Sequence, residues 1–127
     1  MNFPEELPDK LRQLGLRLLD QHSARTLVPA LGEASGYWFG GGNLVQVPSG
    51  DLLLCGRYRN PGDARKGTDA GERGLEFAIF RATKPEGPFE KIHAFSKADL
   101  SNEDASVVSI EGGSLLPSVN GNSWELF

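Results

Sequence analysis

Arg57, Arg59, Arg65 and Arg73, with Tyr58 and Asn60 among them, gather cationic and hydrogen-bonding side chains in and around one polar stretch of the chain. Guanidinium groups collected in a cleft can hold a carboxylate, such as that of a uronic or sialic acid, through bidentate charge-assisted hydrogen bonds. The competing reading is a solvated loop in which Asp63, Asp69 and Glu72 balance the arginines. Upstream, Tyr37, Trp38 and Phe39 precede the triplet Gly40-Gly41-Gly42, and their rings suit either stacking on a pyranose face or packing in a core. The triplet is no phosphate loop, because neither a lysine and Ser/Thr in Walker spacing nor a helix pattern follows it. His22 and His93 stand far apart without ligand spacing, which speaks against zinc. Cys55 is the single cysteine, so a disulfide framework and a multi-cysteine metal site are excluded. Following Leu52, Leu53 and Leu54, and with no recognisable base partner, it reads as a buried apolar thiol rather than a nucleophile. No metal and no cofactor is implied.

Those residues must be positioned by a framework, and the bulk sequence points to one. The chain has 127 residues, 39% hydrophobic and 24% charged, within the range of one globular domain. Sixteen glycines and eight prolines fall between short apolar runs, which favours many turns joining many strands and an all-β fold. The formal net charge of −4 supplies no basic field for nucleic acid or an anionic membrane surface. No apolar run approaches the roughly 20 residues that span a bilayer. Charged residues interrupt the leucines from Met1 to Asp20, so no signal peptide is visible and a cytoplasmic location is expected.

Leu11, Leu14, Leu18 and Leu19 lie at helical spacing, and Pro8 suits a first helical position, so residues 8–20 are predicted to form an amphipathic helix. A connector then runs to Gly36, and the helix is expected to cover an exposed sheet edge or face. Asn43–Val47, the turn Pro48-Ser49-Gly50-Asp51 and Leu52–Tyr58 read as a hairpin. Gly74–Arg81, in which Leu75, Phe77 and Ile79 alternate with Glu76 and Ala78, and Phe89–Phe95 give a third and a fourth strand. Four sequential strands make a meander sheet.

An internal repeat adds to this. Gly41-Gly42-Asn43-Leu44 matches Gly112-Gly113-Ser114-Leu115 at an offset of 71 residues, from 41 to 112. Carried on without a gap, the offset lays Gly50 on Gly121, Asp51 on Asn122, Leu53 on Trp124 and Cys55 on Leu126. Recurring small sheets suggest a propeller or array, each unit burying its faces against its neighbours. The offset exceeds the roughly 40–50 residues of familiar blades. The excess falls in two segments, 59–73 and 96–109, and long loops on a compact β scaffold are where function concentrates.

Ser109-Ile110-Glu111-Gly112-Gly113-Ser114-Leu115-Leu116, followed by Gly121 and Trp124-Glu125-Leu126-Phe127, resembles the E-G-P-x-(L/I) segment of the five-bladed β-propeller glycoside hydrolases. That group includes arabinanases, xylosidases and invertases. Gly74 to Phe89 is similar to the third strand and G-P-(W/F) turn of their blades, with Gly87-Pro88-Phe89 in that place. The resemblance spans residues 38–127 and implies a first blade with long loops (37–110) and the first hairpin of a second blade (111–127), preceded by the helix and connector already read from the leucine spacing (1–36). It implies Glu111 as general acid; the offset puts Gly40 at the equivalent place, so Glu111 is not demanded by blade architecture. Asn43, Arg57, Arg59, Asn60, Asp63, Arg65, Arg73 and Trp38 are the expected carbohydrate-binding residues.

Glycoside hydrolysis takes two carboxyl groups. Where these families place an aspartate on the first blade's inner strand, this chain has Gly40-Gly41-Gly42-Asn43, so the partner would come from Asp63, Asp69 or another blade. A sialidase likeness is weaker, since Thr83–Phe89 has the glycine and aromatic of the Asp-box turn but not its aspartate. An incomplete ring would leave Ser123–Phe127 as an open apolar edge suited to self-association. The alternative function is a noncatalytic propeller module for binding or assembly.

Overall fold

The two longest apolar-rich runs, Leu52–Arg59 and Glu76–Ala82, form the centre of the molecule as strands β3 and β4. In the computed structural model, described for residues 4–60, 74–121 and 123–127, they are joined by β1 (Trp38–Gly40), β2 (Leu44–Gln46) and β5 (Glu90–Ser96). Further elements are helix α1 (Leu7–Leu18), the single turn α2 (Lys97–Leu100) and a second hairpin of β6 (Leu115–Pro117) and β7 (Trp124–Leu126). The protein is thus mainly β, with antiparallel sheets and an N-terminal helix.

The first sheet runs β1-β3-β4-β5, and β2 also pairs with β3. Phe39 faces Tyr58 at one end of β3 and Val45 faces Leu53 at the other. β1 and β2 are therefore two pieces of one edge strand, separated by Gly41 and Gly42, and the sheet is the expected four-stranded meander. At Gly42 a side chain has no room, because a Cβ would stand 2.1 Å from the Cys55 carbonyl oxygen. A register shift between Ile79 and Phe80 marks an irregularity where β4 meets β5.

Both faces of β3 and β4 are buried, which explains runs of continuous apolar residues instead of strict alternation. On one face Leu53, Cys55, Phe77 and Ile79 pack with Ile110 and Leu115, supported by Val47, Phe95 and Val107. On the other, Tyr58, Ala78 and Phe80 pack with Val28 of the N-terminal connector and with Phe39, Leu54, Phe89 and Ala94. Phe39 is edge-on to Phe80, with ring centroids 5.2 Å apart, a favoured aromatic geometry. Residues 107–115 and the second hairpin thus close one face, and the connector closes the other.

The repeat is present, with one correction to its register. β2 and β6 correspond at the offset of 71, and both turns are closed by the same bond: Gly50 N–H to Val47 O and Gly121 N–H to Ser118 O, each 2.8–2.9 Å. Beyond the turn the gapless match fails. Val47 N–H binds the Asp51 carbonyl, whereas Ser118 N–H binds that of Ser123, so the second loop holds one more residue. Trp124 pairs with Pro117 as Leu52 pairs with Gln46, and Leu126 therefore answers to Leu54, not to Cys55.

α1 departs from expectation more fully. Its predicted stripe exists, but Leu11, Leu14 and Leu18 are 56%, 53% and 75% exposed, and the helix buries no residue. It does not cover a sheet edge or face. The predicted irregular segment 96–109 begins with α2, whose start is a capping box: Ser96 Oγ accepts from the Asp99 amide while the Asp99 carboxylate accepts from the Ser96 amide. No described helix is long and apolar enough to cross a membrane.

Candidate functional site

Residues with period two along β3 share a face, so Arg57 and Arg59 emerge on the same side as Leu53 and Cys55. Opposite Arg57 lies Gly40, which has no side chain to oppose it, and opposite Arg59 lies Trp38. The Trp38 indole folds back over Gly40, where a Cβ would stand 2.7 Å from the ring. Arg57 and Arg59 each bring the guanidinium carbon to the indole, 5.4 and 5.7 Å from its centroid, within cation–π range.

Arg57 is 7% exposed, an uncommon position for a cation, and its environment supplies acceptors. Its Nη1 donates to the Ile110 carbonyl at 3.0 Å and to the Glu111 carboxylate at 2.5 Å. Ser109 Oγ donates to the other Glu111 oxygen at 2.8 Å. Arg57 Nε is buried without a hydrogen-bond partner. The Glu111 side chain is 51% exposed, so the pair is anchored in protein at the arginine and open to solvent at the carboxylate. Removing the glutamate would strand a buried charge, which is the costly way to break such a pair.

Asn43, predicted to bind substrate, is occupied structurally. Its carboxamide bridges the backbone C=O and N–H of Leu115, Nδ2 donating to Leu115 O at 3.0 Å and Oδ1 accepting from Leu115 N at 2.9 Å. Oδ1 also accepts from the Cys55 thiol at 2.9 Å, and Cys55 is the buried free cysteine expected. Gly113 N–H to Gly41 O, 3.1 Å, completes a seam between the two glycine pairs that revealed the repeat.

At the Arg59 end of β3, Leu31, Tyr37, Tyr58, Arg59, Asn60 and Leu75 line a cavity of about 320 Å³. Burial pushes the Tyr58 phenol above its ordinary 10.0, with nearby Lys91 opposing and Glu76 adding to the rise. Asn60 Oδ1 is buried and accepts no hydrogen bond. At the opposite end of β3 the two turns of the repeat flank a second cavity of about 560 Å³, bordered by Val47, Pro48, Pro117 and Trp124; no predicted site residue lines it.

Of the residues singled out in the sequence, Trp38, Arg57, Arg59, Asn60 and Glu111 converge on one end of the sheet, while Asn43 serves the seam. Asp63, Arg65 and Arg73 lie outside the described residues, as do Asp69 and Glu72. Ser109, Tyr37 and Tyr58 gain roles as partner of Glu111 and cavity walls; period two places Tyr58 on the opposite face from Arg59, so strand periodicity gives no signal for that cavity. Among the described residues no cluster of three His, Cys, Asp or Glu side chains could hold a metal ion. Comparison with protein-family models, curated proteins and solved structures finds no match.

Proposed function

We propose that this chain is part of a β-propeller of glycoside-hydrolase type, with its carbohydrate site at the Trp38–Arg59 end of the first sheet and Glu111 as general acid. The observation that carries the reading is the position of Glu111: half-exposed, at the end of the sheet where an indole is flanked by two guanidinium groups. An aromatic face next to fixed polar donors is the usual make-up of a sugar-binding surface. The propeller part of the proposal is supported by the repeat, because a second hairpin of the same build packs on the face of the first sheet, as successive blades do. The second carboxylate of the reaction is assigned to Asp63, Asp69 or a further blade.

Hydrolysis of an aryl-glycoside panel by the native gene product, wild type against Glu111→Gln, tests the assignment. Loss of about 10²–10⁴-fold in kcat/KM is expected for a general acid. Unchanged turnover in a folded Glu111→Gln protein would remove Glu111 from catalysis.

A second reading, a noncatalytic assembly module, is favoured by two surfaces: the exposed leucines of α1 and the outer edge of β7, which pairs with β6 alone among the described strands. It gains ground if no glycoside is turned over and the protein self-associates in sedimentation.

A further inference from the structure

The leucines of α1 are largely uncovered but not scattered. Leu7, Leu11, Leu14 and Leu18 follow at intervals of four, three and four residues, the a/d repeat of a seam between two helices. Leu7 is half-buried, and the other three are more than half exposed. With twelve residues, Gly15 inside it and no residue buried, α1 has a length that is marginal for a helix alone in water. Its stability therefore gains from any partner that covers the seam, and the charges beside the leucines select one. Glu5, Glu6 and Asp9 against Lys10 leave residues 5–11 at −2, while Arg12 and Arg17 leave residues 12–18 at +2. Asp20, beyond the helix, is taken up by the His22 amide and the Ser23 hydroxyl. Glu6, Lys10 and Arg17 line one groove along the flank with Leu14, about 420 Å³ in volume, in which Glu6 and Lys10 pair at 3.1 Å.

We propose that α1 is a self-association helix that packs antiparallel on α1 of a second copy of this chain. The antiparallel order lays the −2 half of each helix on the +2 half of the other and opposes the two helix dipoles. It sets Leu7 opposite Leu18 and Leu11 opposite Leu14, and it brings Arg17 of one copy beside Glu6 of the other. A parallel pair would lay acid on acid and base on base. An anionic membrane surface, the other cover that such a face could take, finds no net positive charge between residues 5 and 18. A contact between two helices of this length is smaller than a standard interface, so the dimer is expected to be weak, with Kd about 10–100 μM. The pairing extends the assembly surface named above for α1 and uses no residue of the Trp38–Arg59 end, so it holds whether or not Glu111 is catalytic.

The test is sedimentation equilibrium of the 127-residue chain over about 1–300 μM, with far-ultraviolet circular dichroism across the same range. A monomer–dimer equilibrium is expected, with helicity rising as the dimer forms. Leu11→Gln/Leu14→Gln keeps good helix formers on a helix that buries no residue, so the unfolding transition of the sheet should stay in place while the dimer weakens about tenfold or more. Glu6→Arg and Arg17→Glu should each weaken the dimer by about two- to fivefold at low salt. The double variant Glu6→Arg/Arg17→Glu restores opposite charges only in an antiparallel pair, and it should bind more tightly than either single variant. A monomer throughout the range would overturn the proposal, and so would a dimer indifferent to Leu11→Gln/Leu14→Gln, whose contact would then lie elsewhere, as at the edge of β7. A double variant no better than the single ones would overturn the antiparallel order. Sedimentation decides the pairing and glycoside turnover decides the catalytic reading, so either can fail alone.

Discussion

The hairpin of β2 and β3 and the hairpin of β6 and β7 have the same turn, closed by the same hydrogen bond and carrying glycine at positive φ, +92° at Gly50 and +68° at Gly121. Their fates differ. β3 lies between two paired strands and is buried on both faces, whereas among the described strands β7 pairs with β6 alone and all three of its residues are exposed. One grammar of turn and strand therefore yields a core in one place and a rim in the other. Burial is set by what lies alongside, and what lies alongside β3 includes the second hairpin itself, through Leu115. The two are unequal partners in one interface, and the interface can be broken from either side.

The largest effect is expected at Phe77, fully buried between them, whose ring also lies 3.0 Å from where a Cβ of Gly113 would stand. Phe77→Ala should cost about 3–5 kcal/mol in urea-induced unfolding, the usual cost of an aromatic-to-alanine cavity, because both the sheet and the strap over it lose their common contact. A cost near that of a surface substitution would mean the second hairpin is not anchored there.

A smaller loss, about 1–3 kcal/mol, is expected for Asn43→Leu, which keeps the volume but leaves the Leu115 N–H and C=O without partners. The diagnostic readout is amide hydrogen exchange: Leu115 should lose protection while Ile79, in the middle of the β3–β4–β5 pairing, keeps its own. Equal loss at both would show that Asn43 supports the whole fold and not the seam alone. Ser114→Ala, at the equivalent place in the second hairpin, gives the control.

What the sequence made legible follows from periodicity, and what it hid follows from partnership. Alternation and turn chemistry were enough for β2–β5, and the repeated glycine pairs located β6. The one-residue slip was invisible because Leu52, Leu53 and Leu54 are all leucine: Trp124 and Leu126 find apolar equivalents in either register, and only the Ser118–Ser123 bond distinguishes them. The leucines of α1 declare an apolar face without declaring an occupant, so its exposure could not be read from spacing. Asn43 stands where the resembled families carry an aspartate, yet a carboxamide can satisfy the N–H and C=O of a neighbouring residue as well as a sugar. Arg57 and Arg59 were found as a charge cluster; that Gly40 leaves room for Trp38 to lie between them is a matter of cross-strand register. α2 has a local signal, Ser96 three residues before Asp99, set inside a polar stretch whose composition otherwise reads as loop.

The turn glycines give the finest test of the comparison. A Cβ at Gly50 or Gly121 would meet nothing within 4 Å, so alanine at either position is opposed by backbone conformation alone. The left-handed region costs a residue with a Cβ about 1–2 kcal/mol, and the similar φ values make the local penalty similar at the two turns. The consequences should still differ. The first turn leads into β3, which cannot open without the core, so Gly50→Ala should lower the global unfolding free energy by the full amount. The second leads into a rim strand that can fray from β6 while the sheet remains intact. Gly121→Ala should therefore leave the main unfolding transition nearly in place and appear as faster exchange at Leu116 and Glu125. Equal shifts in the main transition for both variants would make the second hairpin part of the same cooperative unit as the first, and the rim would then be as firmly held as the core it covers.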